Sequence, residues 1–496
     1  MNFKKIINNR TVKDKTFIIS QGKTYSYREI SVLLQELSKI IFNSNSIKEK
    51  NDFSSMYIVK GDGEIAHVVF LLFCLVNQIT FIPYNRTLTR NPRLKNELGS
   101  IKTIECKENA IFDFKQSAIF DVFRVNRVVN EIDNLNRVDQ NSIGEVLACL
   151  FPTSGTTGAP KLIAVSNSQL YRGAVFVSQA LDLNSKDRIA GLLSLDFDYG
   201  INQLLSALHV GATYITCNLS NPKVDYLSVL QREKVSVVPL MPFLIERFFS
   251  GMNLNIRTVR LVTSSGGAIT QKHRSAIKSI FSNAKFIPMY GLSEGFRATI
   301  SNEFIDENFP ESVGIPIGDT VISIRDENGN VLDKGEVGEI WQSGGCLSWG
   351  YWKDPEANFE KFIHDKETPN RLWLKSGDLG YLNDFGCLVI VGRKTFQVKK
   401  FGVRISIDEV ENALAKLFSN LIIVVIPVQR TTTESDFDVV YENMNDLEKE
   451  IFFKIRSNLP PEMWPRKIHR IESIPLNVYG GKPDRFALGQ IFNKGI

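Results

Sequence analysis

The chain has 496 residues, of which 43% are hydrophobic and 23% are charged. This length exceeds what one hydrophobic core organises, so we expect two or three domains of an ordinary globular protein. A net charge of only +5, without any block of five lysines and arginines, argues against a dedicated nucleic-acid-binding protein.

The cysteines and the N-terminus indicate a reducing compartment. The N-terminal segment MNFKKIINNR lacks an apolar signal-peptide core, and the longest apolar run, residues 65–76, is too short to cross a bilayer. We therefore predict a cytoplasmic protein with no membrane span. Six widely spaced cysteines form no Cys-x-x-Cys pair, so we expect buried free thiols and no zinc site. They are Cys74, Cys106, Cys149, Cys217, Cys346 and Cys387.

Strand and helix patterns alternate from Lys23 to about residue 300. Such alternation is typical of α/β proteins with largely parallel sheets, which bind ligands beyond the carboxyl ends of their strands. The predicted strands are 56–60, 80–83, 146–151, 189–194, 213–217, 235–238 and 258–264. The predicted helices are 63–77, 167–181, 200–210, 224–233, 241–250 and 270–282.

The pattern changes twice in the remainder of the chain. From about 310 to 393, short β runs separated by Gly, Asp and Asn turns predict a β-rich subdomain with hairpins. After Arg393, a helix over 407–417, a strand over 421–428 and a helix over 446–459 follow. The predicted fold class is α/β, with a large N-terminal domain over 1–393 and a small α+β C-terminal domain over 394–496.

The segment 153–161, TSGTTGAPK, separates two apolar strand-like runs. Glycines let the backbone approach an anion, hydroxyls donate hydrogen bonds, and a lysine supplies charge. The segment is no Walker A loop, because Pro160 precedes the lysine and a strand pattern follows. A polyphosphate site is favoured over a plain hairpin turn. The candidate phosphate-binding residues are Thr153, Ser154, Gly155, Thr156, Thr157, Gly158 and Lys161.

This segment resembles the phosphate loop of the acyl-adenylate-forming superfamily, which includes acyl-CoA synthetases, adenylation domains of nonribosomal peptide synthetases, and luciferases. Four further segments resemble that family's motifs, in the family's order. They are MYGLSE (289–294), LKSGDLG (374–380), GRKTFQVKKFGVRIS (392–406) and PLNVYGGKPDR (475–485). The chain is thus identified as a member, most similar to a stand-alone AMP-forming acid–thiol ligase. The resemblance implies a mobile C-terminal lid domain.

The resemblance also implies how ATP and Mg²⁺ are bound. Asp378 accepts hydrogen bonds from the ribose hydroxyls, a task suited to a carboxylate, and Arg393 lies near the ribose. Glu294 holds Mg²⁺. In MYGLSE, Tyr290 offers a flat face to the base and Gly291 allows close approach. The remaining nucleotide-binding candidates are Ser293 and, in SSGGA (264–268), Gly267 and Ala268.

The last two motifs belong to catalysis and to the thiol step. By resemblance, Lys482 is the adenylation lysine, which bridges the attacking carboxylate and the α-phosphate. Thr153 and Glu294 complete the predicted catalytic set. The loop that enters the site for thioester formation carries Lys399, Gly402 and Arg404. The sequence departs from the family at Thr395, where the family's hinge carries an aspartate, and at Phe401.

The segment 196–212, DFDYGINQLLSALHVGA, carries the acid-recognition signal. Asp198 falls where amino-acid-activating members carry an aspartate that pairs with the substrate ammonium, and a buried carboxylate is costly without a cation. The segment equally resembles AMP-forming acyl ligases whose acid needs no amine, in which Asp198 instead caps the helix starting near Gly200. Both interpretations stay open. The predicted acid-binding residues are Asp198, Tyr199, Asn202 and Gly266.

The resemblance predicts a two-step enzyme. A small carboxylic acid attacks Mg·ATP to give an acyl-adenylate, and a thiol then displaces AMP. The thiol is CoA or the phosphopantetheine of a separate acyl or peptidyl carrier protein, because no carrier domain follows within the chain. The alternatives are an amino-acid-specific adenylation enzyme that loads a separate carrier and, more remotely, an inactive nucleotide-binding homologue.

Overall fold

The predicted α/β class is confirmed by a computed structural model of the chain, in which helices accompany several sheets and the two largest sheets have parallel centres. The structure describes residues 13–43, 56–61, 63–84, 102–106, 123–126, 146–152, 161–217, 225–249, 254–365, 368–394, 397–400, 403–418, 420–429, 435–476 and 483–492. Strands and helices are numbered below in chain order.

The largest sheet has nine strands with a parallel centre. Its order is β15 (Ile315–Pro316), β14 (Phe296–Ile300), β13 (Lys285–Leu292), β12 (Leu261–Ser264), β11 (Val237–Leu240), β9 (Arg188–Gly191), β10 (Thr213–Thr216), β1 (Thr16–Ser20) and β2 (Lys23–Ser26). The pairs from β13 to β1 are parallel, and the outer pairs are antiparallel. All parallel strands therefore end at one edge, here called the carboxyl edge, and begin at the opposite, amino edge.

A second sheet of six strands carries the ends of the predicted phosphate loop. Its order is β6 (Phe123–Asn126), β5 (Lys102–Cys106), β3 (Met56–Lys60), β4 (Thr80–Pro83), β7 (Leu147–Pro152) and β8 (Leu162–Ser166). Strands β7 and β8 pair antiparallel, with Pro152 opposite Leu162. The predicted strand–loop–strand arrangement around 153–161 is thus confirmed for its two strands.

The described helices are α1 (Tyr27–Asn43), α2 (Ile65–Val76), α3 (Asn167–Ala180), α4 (Asp198–Val210), α5 (Tyr226–Arg232), α6 (Pro242–Phe249), α7 (Gln271–Ile280), α8 (Glu303–Asn308), α9 (Pro355–Lys361), α10 (Ile407–Leu417), α11 (Glu448–Asn458) and α12 (Arg485–Phe492). One hydrophobic core joins the two sheets through buried residues of α1 to α4, such as Phe73 and Leu204. The apolar run 65–76 is a buried helix, as predicted.

The two later regions are built differently. An antiparallel sheet of five strands comprises β16 (Val321–Arg325), β17 (Gly338–Ser343), β18 (Phe362–His364), β19 (Leu372–Leu382) and β20 (Leu388–Arg393). The C-terminal region contains β21 (Gln397–Lys400), β22 (Val403–Ser406), β23 (Ile422–Gln429), β24 (Ser435–Glu442) and β25 (Ile468–Ile471). It has its own hydrophobic core, and Arg247 of α6 donates a 3.2 Å hydrogen bond to its Ser473.

Some element boundaries differ from the sequence prediction. The strand predicted over 189–194 ends at Gly191, which lies opposite Thr216, the last residue of its neighbour β10. The helix predicted from residue 200 begins at Asp198. All six cysteines are free and buried, as expected. Within the described ranges, no helix combines the length and apolarity needed to cross a bilayer.

Candidate active site

Three of the predicted motif segments meet at the carboxyl edge of the nine-stranded sheet. Residues 264–268 begin at the last residue of β12, residues 291–294 extend from the end of β13, and the segment before α4 follows β9. Because the strands are parallel neighbours, their carboxyl ends lie side by side. The edge therefore brings together groups that are far apart in the sequence.

Asp378 links the β-rich sheet to this edge. Tyr290 Oη donates a 2.8 Å hydrogen bond to Asp378 Oδ2, and Arg393 Nε lies 2.8 Å from Asp378 Oδ1. Asp378 and Arg393 face each other as a cross-strand pair of β19 and β20, whereas Tyr290 belongs to β13. Three residues predicted to contact the nucleoside thus form one hydrogen-bonded chain.

The surroundings of this hydrogen-bonded group keep Tyr290 neutral. Asp378 and Tyr290 are 4% and 7% exposed, and burial, together with the adjacent Asp378 carboxylate, raises the pKa of Tyr290 well above its ordinary value. The hydroxyl therefore remains a donor to Asp378. The Asp378 backbone N–H donates to Ser376 Oγ at 2.9 Å, which holds the turn at Gly377.

Glu294 lies next to the ends of the predicted phosphate loop. Its Oε1 accepts a 2.6 Å hydrogen bond from Tyr351 Oη, and its backbone carbonyl accepts one from Ser348. The segment around Tyr351 runs beside β8, and Lys161 Nζ lies 5.0 Å from the centre of the Tyr351 ring. The loop and the predicted magnesium ligand therefore share one neighbour.

Gly291 allows the backbones of β13 and β14 to approach each other closely. It lies at a bulge between β13 and β14, where a Cβ atom would come within 1.9 Å of the Phe296 carbonyl oxygen. A side chain at this position would separate the two strands and displace Tyr290 and Glu294. The glycine thus shapes the site through the strand pairing.

Asp198 does not cap its helix. The N-cap position of α4 is Phe197, and the Asp198 carboxylate points to β14 and the end of β13. Arg297 Nη2 lies 3.2 Å from Asp198 Oδ2, and Ser293 Oγ donates to Oδ1 at 3.1 Å. The capping interpretation was wrong, because the carboxylate is engaged by an arginine 99 residues away.

The other predicted acid-binding residues lie around this pair. Tyr199 Oη is 2.8 Å from Thr263 Oγ1, and burial raises the pKa of Tyr199 to about 12. Asn202 is buried one turn further along α4 and accepts a hydrogen bond from Ser206. Residues 266–268, which include Gly267 and Ala268, are exposed beyond β12. The predicted acid-binding residues thus comprise buried polar side chains on α4 and an exposed backbone segment after β12.

Several predicted residues lie outside the described part of the chain and stay predictions. The backbones of Lys399 and Arg404 lie opposite each other in the β21–β22 hairpin, but their side chains are not among the described parts of the structure. The others are Thr153, Ser154, Gly155, Thr156, Thr157, Gly158, Gly402 and Lys482.

Sequence reasoning missed three side chains at this edge: Arg297, Tyr351 and Lys361. Arg297 stands in the strand FRATI, whose other residues carry no charge, and a charged residue in such a strand was the available signal. Lys361 Nζ donates to the carbonyls of Lys375 and Ser376, directly before Gly377. Burial lowers the pKa of Lys361, while Glu294 and Glu339 counteract this shift.

The site offers one obvious place for a divalent cation. No cluster of three or more His, Cys, Asp or Glu side chains suited to a metal occurs among the described residues. Mg²⁺ at nucleotide sites needs only one or two carboxylates, since phosphates and waters complete its coordination. The half-exposed Glu294 carboxylate beside the phosphate-loop strands fits that requirement.

Comparisons with known proteins agree with this arrangement. Zwittermicin A synthase ZmaJ of Bacillus cereus is 25% identical over 498 residues, which cover 96% of this chain and 92% of that protein. Bacitracin synthase 1 of Bacillus licheniformis is 25% identical over 495 residues, or 96% of this chain but 9% of that protein. The chain thus spans under a tenth of this second relative.

The fold is also found in a solved structure. ATP-bound MatB from Rhodopseudomonas palustris superimposes with a TM-score of 0.79 at 18% identity, covering 100% of this chain and 99% of MatB. The family model for the AMP-binding enzymes matches residues 82–352, more than half of the chain. The match to this family model shows that the chain belongs to the AMP-binding enzyme family, the superfamily of acyl-adenylate-forming ligases.

Proposed function

We propose that this protein is an AMP-forming ligase that activates a carboxylic acid with ATP and transfers the acyl group to a thiol. The observation that carries the proposal is the Tyr290–Asp378–Arg393 chain, which lies beside Glu294 at the carboxyl edge in a member of the AMP-binding family. The relevant thiols are CoA and the phosphopantetheine of a separate carrier protein.

The nucleoside end of ATP has matching partners. An ionised carboxylate accepts up to about four hydrogen bonds. Asp378 takes one from Tyr290 and pairs with Arg393, so it has capacity for ribose hydroxyls. The triphosphate would then extend toward Glu294 and the ends of the loop 153–160. Mg²⁺, when bound to Glu294 and the phosphates, would neutralise negative charge there.

The first step is adenylation. A carboxylate oxygen of the acid bonds to the α-phosphorus, and the bond from that phosphorus to the bridging oxygen breaks, which releases pyrophosphate. Lys482 is assigned by its motif to orient the attack and to offset the developing charge. The second step needs a thiol, whose sulfur bonds to the acyl carbon as AMP leaves and the thiol proton passes to solvent. Lys399, Gly402 and Arg404 are the residues proposed to act there.

Acid-dependent exchange of labelled pyrophosphate into ATP tests the first step. The wild-type protein is expected to catalyse exchange with at least one acid from a panel of aliphatic, aromatic and amino acids. Lys482→Ala should abolish exchange while ATP binding, measured by calorimetry, persists. Wild-type protein that binds ATP but exchanges label with no acid would instead support the inactive homologue.

An amino-acid-specific enzyme that loads a carrier protein is the second candidate. The observation that favours it is Asp198, a buried carboxylate on the acyl side of the site. A buried carboxylate is stable only beside a cation, which an α-ammonium group would supply. The surroundings of Asp198 decide between the two candidates.

A further inference from the structure

A buried ion pair lies in the part of the candidate site that is proposed to bind the acid. Asp198 and Arg297 are 8% and 5% exposed. Their neighbours Ser265 and Ser293 immediately precede residues 266–268 and Glu294, which belong to the proposed substrate and metal sites. In the binding mode proposed above, an acid whose carboxylate lies at the α-phosphate has its adjacent carbon near this pair.

Both partners of the pair are held in position by other groups. The two carboxylate oxygens of Asp198 are engaged separately, one by Ser293 and the other by Arg297. Arg297 Nη1 donates to Ser265 Oγ at 2.7 Å, and the guanidinium lies 4.5 Å from the centre of the Tyr199 ring. Tyr199 is in turn hydrogen-bonded to Thr263. The guanidinium is thus held by three contacts, with Asp198 and Tyr199 of α4 and with Ser265 after β12.

This arrangement satisfies the charge of Asp198 within the fold. One carboxylate needs one cation, and Arg297 supplies it. An α-ammonium group bound to Asp198 would be a second cation beside a fixed guanidinium, and it would also displace the Ser293 hydroxyl. Like charges placed side by side out of water oppose binding strongly. The pair therefore disfavours an amine next to the reacting carboxylate.

We infer that the acid activated by this protein carries no amino group on the carbon next to its carboxylate, and that Arg297 is the residue that excludes such amines. The inference rests on the proposed adenylation at this site and narrows it. It places the chain among ligases for simple acyl acids, although the carboxylate of Asp198 alone favours an amino acid.

Paired acyl sulfamoyl adenosines, which mimic the acyl-adenylate, test this without turnover. Each pair differs only by the α-amine: phenylalanyl against 3-phenylpropanoyl, and leucyl against 4-methylpentanoyl. Calorimetry with the full chain is expected to give a Kd at least about tenfold lower for the amine-free member of each pair. Equal or tighter binding of the amino members overturns the inference.

Two arginine variants assign the effect to its source. Arg297→Met removes the guanidinium and should reduce or reverse the preference, because the Asp198 carboxylate then lacks a cation. Arg260→Met is the matched control, since Arg260 pairs with Asp187 at the opposite edge of the same sheet, and it should keep the full preference. An undiminished preference in Arg297→Met contradicts the assignment.

The outcomes also separate this inference from the proposed function. Arg297→Lys keeps a cation beside Asp198 and should therefore keep the preference for amine-free ligands. This variant can be tested even if Arg297→Met does not fold. Loss of the preference in a folded Arg297→Lys protein counts against the inference. If wild type binds neither member of any pair, the proposed adenylation site is wrong and the inference falls with it. If both members bind and the amine is preferred, only the inference is wrong.

Discussion

The two edges of the nine-stranded sheet each carry an aspartate–arginine pair, but the pairs have different partners. At the amino edge, Asp187 receives hydrogen bonds from Arg260 at 2.8 and 2.6 Å, from Ser236 and from the Asn184 backbone. These partners lie in turns that begin neighbouring strands. At the carboxyl edge, Asp198 meets Arg297 through a single nitrogen, and its other partner, Ser293, lies beside Glu294.

The difference separates a fold-stabilising pair from a functional one. In the amino-edge pair, Arg260 donates two parallel hydrogen bonds to the two oxygens of Asp187. This geometry joins neighbouring strands and occupies both oxygens of the carboxylate. The carboxyl-edge pair is built from segments that also carry the predicted ligand-binding residues. We propose that similar chemistry serves stability at one edge and substrate choice at the other, which mutations can test.

Removal of Asp378 should have the largest effect on activity. Asp378→Ala deletes the acceptor for Tyr290, Arg393 and the ribose, and each hydrogen bond to a charged group contributes about 1.5–3 kcal/mol. We expect kcat/KM for ATP in pyrophosphate exchange to fall about 100-fold or more. An activity within twofold of wild type would mean that ATP binds elsewhere.

Removal of Asp187 at the amino edge should lower the free energy of unfolding and leave activity nearly unchanged. Breaking a buried ion pair costs about 3–5 kcal/mol, and since Arg260 is 39% exposed we expect about 2–3 kcal/mol for Asp187→Ala. Urea unfolding measures this loss, and kcat/KM at 20 °C should stay near wild type. Asp14→Ala, which breaks a surface pair with Arg28, is the control and should cost less than about 1 kcal/mol. A stable but inactive Asp187→Ala protein would reverse the roles of the two edges.

Lys361 should have a smaller, more selective effect. Its ammonium donates to two carbonyls at the turn before Asp378, so Lys361→Met is expected to loosen this turn. Loss of these two bonds to a charged donor should raise KM for ATP about tenfold and change kcat less. Steady-state exchange kinetics separate the two parameters. A fall in kcat at constant KM would assign Lys361 to the chemical step.

The smallest expected effect is on the acid stability of the amino edge. Burial by itself raises the pKa of Asp187, but hydrogen bonds from Arg260, Asn184 and Ser236 outweigh it, so the folded pKa lies below the ordinary 3.8. The resulting stabilisation is complete above pH 3.8 and is lost as pH falls through the folded pKa. Asp187→Asn should show a correspondingly shallower loss of stability on acidification, measured by urea unfolding. Identical slopes would show that Asp187 does not titrate differently on folding.

The sequence predicted the carboxyl-edge residues better than their contacts. Asp378 and Arg393 were predicted to lie near one ribose, and they are cross-strand neighbours. The partner of Asp198 was missed, because periodicity reports which residues are buried but not which strand lies opposite. Arg297 belongs to β14, a short strand that the sequence prediction did not include, and only the pairing of β13 with β14 places it there. Lys361 was missed for the same reason, since α9 approaches β19 only in the folded chain.

Hydrogen–deuterium exchange with and without Mg·ATP tests most directly whether the carboxyl edge is the substrate site. Amide exchange in residues 264–268, 289–294 and 372–382 is expected to slow when Mg·ATP is added. Exchange at the amino edge, in residues 182–188 and 257–261, is expected to stay unchanged. Protection confined to the amino edge, or none at the carboxyl edge under conditions where calorimetry shows saturation, would show that Mg·ATP does not bind at the carboxyl edge.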